Sequence, residues 1–242
     1  MMLIPSFLRW DSVLPARMLW LLVLPILLAL STQTFAHGVA EDDALFIEQA
    51  SGMQLLPFIY LGAKHMVTGY DHLLFLLGVV FFLYHMRDVG IYVTLFAVGH
   101  SVTLLYGVLS ETNVNPYIGD AIIGFSVVYK ALDNVGAFRR WFGIQPNTKA
   151  AVLIFGFFHG FGLATKLQDF TLSQEGLVGN ILAFNVGVEI GQLLALFAIL
   201  IAMNTWRRSS LFARQAFAAN VALMATGFLL IGYQLTGLLL TT

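Results

Sequence analysis

Residues His65–Gly78 read HMVTGYDHLLFLLG. This stretch places two histidines and one aspartate directly before an unbroken apolar run, with Gly69 between the histidines. An apolar run of this kind is typical of a membrane helix, whereas ionisable side chains are costly to bury in a bilayer. The stretch therefore predicts the beginning of a membrane span and, at the same place, a candidate functional site.

The composition of the chain is that of an integral membrane protein. Of its 242 residues, 59% are hydrophobic and 10% are charged, whereas a soluble domain carries about 25% charged residues. The net charge of -1 argues against nucleic acid as a partner. The chain has no cysteine, so disulfides and thiolate metal sites are excluded.

The apolar runs predict an all-α, polytopic membrane helix bundle in one domain, residues 52–242. Six runs could span a membrane: 71–86, 89–109, 117–133, 150–167, 178–204 and 216–240. Residues 52–69 form a further apolar segment that Pro57 interrupts. We interpret this segment as an interfacial or partly inserted helix. The alternative is a seventh full span, which would reverse the orientation of the chain.

The N-terminal residues 1–36 resemble an export signal. A basic start precedes the apolar run Met18–Leu30, which is too short for an ordinary span of about 20 residues. Cleavage after Ala36 would leave residues 37–51 as a short acidic leader. An uncleaved anchor is the alternative.

Basic residues between the predicted spans determine the expected orientation. They lie in three loops, at Arg87, Arg139, Arg140, Lys149, Arg207, Arg208 and Arg214, with Lys130 close by. The loops at 110–116 and 168–177 carry acidic residues and no basic ones. This asymmetry predicts a multi-pass membrane protein in which the three basic loops face the cytoplasm and both termini lie outside.

A second layer of polar residues lies deeper in the predicted spans. His100, His159 and Glu189 are each roughly 12–16 Å from the outer ends of their helices, at 1.5 Å per residue. Each could instead be a structural hydrogen-bonding group. Because they share one depth with each other, we interpret them as a deeper site. Asn185 and Gln192 on the helix of Glu189, and Ser101 beside His100, are predicted supporting residues.

Several imidazoles with carboxylates and no thiolate suit a divalent transition metal such as nickel, cobalt, zinc or copper. A permease must replace the water shell of the ion and still release the ion. Histidine and glutamate also carry protons, so metal movement could be coupled to them. No ATP-binding G-x-x-x-x-G-K-[ST] loop occurs. We expect a secondary permease with no tightly bound cofactor, whose partners are the metal ion and the lipid bilayer.

Four segments, read together, resemble the HupE/UreJ family of bacterial membrane proteins. They are GAKHMVTGYDHLLFLLG, FAVGHSVTLLYG, FGFFHGFGLA and FNVGVEIGQ. The family motif H-P-x-x-G-x-D-H corresponds here to His65–His72, with Met66 in place of the proline. The resemblance implies nickel or, in some members, cobalt uptake for hydrogenase or urease maturation. It also implies that His65, Asp71 and His72 are needed for transport. With the predicted orientation, the resemblance places the protein in the bacterial inner membrane with both termini in the periplasm.

Two other functions remain open from the sequence. Histidines, an aspartate and Ser101 could hold zinc and activate water in an intramembrane hydrolase. The common H-E-x-x-H spacing of such enzymes is absent, however. A metal-binding accessory or sensor protein without transport is the third hypothesis.

Overall fold

The computed structural model describes Ile47 and residues 50–112, 114–168 and 175–241. In these ranges the chain forms eight sizeable helices and no strand, which confirms the all-α prediction for the described residues. The helices are α1 (Leu55–Thr68), α2 (Tyr70–Val80), α3 (Met86–Leu109), α4 (Pro116–Asn134), α5 (Ala137–Phe142), α6 (Thr148–Gln168), α7 (Leu177–Arg207) and α8 (Phe212–Thr241). The predicted signal peptide, 1–36, and most of the leader, 37–51, lie outside the described residues.

Four of the described helices are long and apolar enough to cross a membrane: α3, α6, α7 and α8. These helices and α4 lie within a few residues of the second to sixth predicted spans. α4 is shorter, with 19 residues, and carries three charged side chains. The sequence pattern therefore located the long helices correctly.

The beginning of the bundle differs from the prediction. α2 has 11 residues and ends at Val80, so at 1.5 Å per residue it is only about 16 Å long. α1 packs along α7, and the two helices run in the same direction. Ile59 contacts Gly187, and Ala63 contacts Gly191 further along α7. At the end of α7, Arg207 donates hydrogen bonds to the carbonyl oxygens of Val80 and Phe81.

α1 and α2 are therefore two halves of one broken helix that follows α7. The reason is local packing: glycines at the contact let the α1 and α7 backbones approach closely. A Cβ atom at Gly191 would lie 2.6 Å from the carbonyl oxygen of Ala63. A hydrophobicity pattern shows that residues 52–69 are apolar, but it does not reveal which helix they pack against.

Glycines also join the other main helix pairs. In the parallel pair α3–α6, a Cβ at Gly99 would lie 2.6 Å from the carbonyl oxygen of Leu153, and one at Gly156 equally close to that of Phe96. In the antiparallel pair α4–α8, Gly227 lies against Val128. Small residues at membrane-helix contacts allow this close packing. α2 lies among these pairs and contacts α1, α4, α7 and α8.

The two ends of the bundle differ in charge. α2, α4 and α7 finish at the same end at which α3, α6 and α8 begin. We call it the basic end, because seven basic residues lie at or near it: Arg87, Arg139, Arg140, Lys149, Arg207, Arg208 and Arg214. The other end is called the opposite end.

Candidate metal centre

Three histidines from three helices meet in the interior. One ligand nitrogen of each of His65, His72 and His100 lies within 4.8 Å of the others. His72 is 2% exposed and His100 is fully buried, whereas His65 is only partly buried. His65 is near the end of α1, His72 is near the beginning of α2, and His100 is in the middle of α3. We call these three residues the histidine cluster.

The helix break at Gly69 brings two members of the cluster together. The N–H of Gly69 donates a hydrogen bond of 2.9 Å to the carbonyl oxygen of His65, and α2 begins at the next residue. The imidazole rings of His65 and His72 are then 5.0 Å apart, centroid to centroid. An unbroken helix would place residues seven apart about 10 Å from each other along its axis.

Position 69 needs a glycine because a larger side chain would collide with its neighbours, and not because of its backbone conformation. Its φ is -71°, which any residue can adopt. A Cβ atom there would lie 2.6 Å from Nδ1 of His72 and 3.0 Å from the carbonyl oxygen of His65. The absence of a side chain at Gly69 therefore makes room for the His72 ring.

Asp71 lies beside the cluster and orients one of its members. Its side chain is fully buried, and Oδ1 is 3.1 Å from Nδ1 of His72. An ionised carboxylate can only accept, so this hydrogen bond requires the proton on Nδ1. Nε2 of His72 then has a lone pair available for a metal. Carboxylate–histidine pairs of this kind fix the tautomer and ring direction of metal ligands.

His159 lies next to the histidine cluster but is not one of the three mutually close ligands. Its ring centroid is 5.1 Å from that of His72 and 4.9 Å from that of Phe96. His159 is 1% exposed and is contributed by the middle of α6. The structure therefore brings His159 to the site, at a position from which it contacts the ring of one ligand.

An aromatic layer separates the cluster from the basic end. Phe75, Phe96 and Phe155 each lie about one helical turn closer to the basic end than a histidine of the same helix. The centroid of Phe75 is 5.3 Å from that of Phe96 and 6.0 Å from that of Phe155. These rings pack with Val79, Val127 and Val152 in one buried apolar group.

The deep position of His100 has a clear structural origin. Gly160 of α6 lies against the carbonyl oxygen of His100, so the two helices touch at the level of the ligand. Thr103 donates a hydrogen bond of 2.8 Å to the carbonyl oxygen of Phe157 across the same contact. Neither ring nitrogen of His100 has a hydrogen-bond partner among the described residues. The imidazole of His100 is thus held in place by packing, and in its neutral form one ring nitrogen carries a lone pair that could bind a metal.

Glu189 does not join the histidines. It is exposed on α7, whereas the neighbouring polar residues Asn185 and Gln192 are 6% and 1% exposed. Gly187 and Gly191 face α1, and Glu189, two residues from each, lies about 160–200° around the helix from them. The predicted deeper site contained His100, His159 and Glu189. In the structure the two histidines lie in the interior, whereas the carboxylate of Glu189 lies on the exposed side of α7.

The predicted supporting residues are only partly placed near the site. Gln192 is buried, and its Nε2 donates to the carbonyl oxygen of Val93 at 3.5 Å. Oδ1 of Asn185 has no hydrogen-bond partner among the described residues. Ser101 is partly exposed and points about 100° away from His100 around α3.

The sequence analysis did not identify two lysine–aspartate pairs that involve residues of α4. Lys166 of α6 donates to both carboxylate oxygens of Asp120 at 2.8 Å, near the opposite end. Lys130 donates to Asp133 at 2.6 Å, near the basic end. The sequence analysis grouped Lys130 with loop residues, but it is buried in α4. The three-residue spacing of Lys130 and Asp133 was the available signal.

A family model described as HupE / UreJ protein matches residues 41–242 of the chain. The match covers all eight described helices and every histidine of the site. No curated protein and no solved structure matches the chain significantly.

Proposed function

Since the chain belongs to the HupE/UreJ family, we propose that it is a secondary permease for a divalent transition-metal ion, with nickel as the foremost candidate. The family suggests a role related to nickel or cobalt transport. The observation that carries the proposal is the histidine cluster, in which three helices contribute one imidazole each within 4.8 Å. Imidazole nitrogen is a suitable ligand for nickel, cobalt, zinc and copper.

The small negative charge of the site supports reversible binding of a divalent metal ion. Three neutral imidazoles replace water ligands without adding charge, and Asp71 supplies one buried negative charge nearby. A conducting or transporting site must bind strongly enough to admit an ion and weakly enough to release it. His65, His72 and His100 would bind the ion, Asp71 would orient His72, and His159 would adjust the position of the His72 ring.

The break between α1 and α2 supports a transporter and not a protein that only binds metal. Binding sites of many secondary transporters lie where a membrane helix is discontinuous, because the break exposes polar groups inside the bilayer. Here the break at Gly69 adjoins the cluster, and the partly buried His65 offers an entry for the ion.

The same break suggests how the chain crosses the membrane. α1 and α2 together would form the first of six spans, followed by α3, α4, α6, α7 and α8. The basic end would then face the cytoplasm, by the positive-inside rule. Both termini would be periplasmic, and the ion would enter from the opposite end.

Uptake of radioactive nickel by proteoliposomes containing the purified protein tests the proposal. We expect time-dependent uptake by the parent and its loss in His72→Ala. The matched control is His85→Ala, because His85 is exposed outside the cluster. Its uptake should equal that of the parent. Parallel experiments with cobalt, zinc and copper identify the preferred ion.

Other outcomes would favour the remaining functions. Tight metal binding without uptake of any of the four ions would contradict the permease and favour an accessory or sensor protein. Zinc-dependent cleavage of membrane lipid, abolished in His72→Ala, would indicate a hydrolase instead. The partly exposed position of Ser101, away from the cluster, gives that chemistry no additional support.

A further inference from the structure

A buried cluster of polar side chains lies between the aromatic layer and the basic end. Lys130 is 7% and Asn220 is 1% exposed. Asp133 and Asn134, at the end of α4, complete the group, whose members hydrogen-bond to one another. We call Lys130, Asp133, Asn134 and Asn220 the basic-end cluster. None of these four residues takes part in the histidine cluster.

The ammonium group of Lys130 is enclosed by oxygen atoms. Its Nζ is 2.6 Å from Oδ2 of Asp133 and 2.9 Å from Oδ1 of Asn134. Oxygens of a carboxylate and an amide are groups that also bind metal cations. Asp133 accepts further hydrogen bonds from Thr148, at 3.2 Å, and from the exposed Gln145. The cluster therefore extends from the interior to the surface of the basic end.

The basic-end cluster is attached directly to the helix that carries Asp71 and His72. Nδ2 of Asn134 donates to the carbonyl oxygen of Gly78 at 2.8 Å and to Oδ1 of Asn220 at 2.9 Å. Gly78 is seven residues after Asp71 on α2, which corresponds to about 10 Å along the helix. The methylene stem of Lys130 also lies against Gly78, where a Cβ atom would be 3.2 Å from its Cγ.

The position of Lys130 gives it an electrostatic effect on any cation that leaves the histidine cluster towards the basic end. Such an ion would first pass the aromatic layer and then meet the side-chain oxygens of Asp133 and Asn134, which the Lys130 ammonium already occupies. An ammonium held there excludes a second cation, because like charges repel strongly where water is scarce. Asp133 in turn offsets the cost of burying the ammonium, since a buried unpaired charge would be costly.

We propose that Lys130 is a charge gate on the basic-end side of the metal path, with Asp133 and Asn134 holding its ammonium in the closed position. This inference rests on the proposed transport function, because it assigns the gate to the exit of that path. The gate opens when α2 moves and the Lys130 ammonium leaves Asp133. The carboxylate is then free to attract the departing ion.

Release of radioactive nickel from preloaded proteoliposomes, with no metal outside, tests the gate. Lys130→Gln removes the charge and keeps much of the length of the side chain, so we expect nickel to leave about tenfold faster than from the parent, equivalent to a barrier lowered by about 1.4 kcal/mol. Lys130→Arg keeps the charge and should retain nickel almost as well as the parent. The matched control is Lys166→Gln, which breaks the other lysine–aspartate pair of α4.

The results separate a gate from a structural role. Equal leakage from Lys130→Gln and Lys166→Gln would mean that loss of either pair loosens the bundle, and it would overturn the proposal. Retention of nickel by Lys130→Gln, while the parent protein takes up nickel, would overturn the gate and leave the permease proposal standing. Leakage confined to Lys130→Gln, together with uptake by the parent, would support the gate. If no variant moved nickel, both proposals would fail.

Asp133→Asn provides a second test if Lys130→Gln does not fold. This variant removes the carboxylate that holds the Lys130 ammonium in the closed position, so the gate should open more readily. We expect nickel to leave preloaded proteoliposomes faster than from the parent, while nickel binding, measured by equilibrium dialysis, stays at the parent value. Release at the parent rate in Asp133→Asn would contradict the gate.

Discussion

Asp71 and His72 are adjacent in sequence and hydrogen-bonded in the interior, with Oδ1 of Asp71 3.1 Å from Nδ1 of His72. Neighbouring residues on a helix point about 100° apart, so contact between them requires both side chains to turn towards each other. The pair is at the beginning of α2, directly after the break at Gly69. This relationship suggests different roles for the two residues in the proposed metal site: His72 would be a ligand, and Asp71 would position it.

Replacing Asp71 by asparagine tests this division of roles. The amide can no longer stabilise the Nδ1–H tautomer of His72 as a carboxylate does, so we expect nickel affinity to fall about 10- to 100-fold, the usual effect of such partners. His72→Ala removes a ligand and should lower the affinity further. Isothermal titration calorimetry on the purified protein measures both values. Equal losses in the two variants would show that Asp71 is itself a ligand.

Gly69→Ala tests the need for space beside His72. The new Cβ would be 2.6 Å from Nδ1 of His72, so the ring must move and the cluster must widen. We expect weaker nickel binding with little change in thermal stability, because alanine accepts the φ of -71°. Gly232→Ala is the control, since a Cβ there meets nothing within 4 Å. Wild-type affinity in Gly69→Ala would refute the steric role of Gly69.

The contact between α3 and α6 can be tested with two glycines of one helix. A Cβ at Gly99 would lie 2.6 Å from the carbonyl oxygen of Leu153, whereas one at Gly90 meets nothing within 4 Å. We expect Gly99→Ala to destabilise the protein by about 1–3 kcal/mol through overpacking. Gly90→Ala should be neutral or stabilising by up to about 1 kcal/mol, since alanine favours helix. Thermal unfolding in detergent compares the two variants.

The sequence predicted the long helices well because each is a continuous apolar run of adequate length. It also singled out the four histidines that the structure brings together, because an ionisable residue in such a run is rare. The packing of residues 52–69 along α7 could not be predicted in the same way. Whether an apolar segment lies on the membrane or enters the bundle depends on its partner, here α7, and no periodicity in α1 encodes that partner.

Glu189 shows why the members of the site could be predicted only in part from the sequence. Its spacing from Asn185 and Gln192 placed all three on one face of α7, and that argument is correct to within about 60°. The boundary between the buried and the exposed side of α7 passes between these residues, however, because Gln192 is buried and Glu189 is exposed. The position of such an edge is decided by the neighbouring helices, so it could not be derived from α7 alone.

Glu189→Gln should therefore leave the metal site unchanged. Because Glu189 is exposed and is not a member of the histidine cluster, we expect the same nickel affinity and stoichiometry as in the parent. Equilibrium dialysis measures both, and His100→Ala serves as the positive control that loses affinity. A loss of bound nickel in Glu189→Gln equal to that in His100→Ala would show that α7 rotates its carboxylate into the cluster when metal binds.

Nickel binding should weaken as the pH falls. A metal binds neutral imidazole, so protons compete with nickel for the partly buried His65. The reference pKa of a histidine side chain in water is about 6.5, and a ligand that is protonated below that value must lose its proton before it binds a metal. Between pH 7.5 and pH 5.5 we therefore expect a drop of more than about tenfold in nickel affinity, and a smaller drop in His65→Ala, which has one ligand fewer. Calorimetry in two buffers of different ionisation enthalpy measures the protons released on binding. Affinity that is independent of pH over this range would contradict a site built from imidazoles.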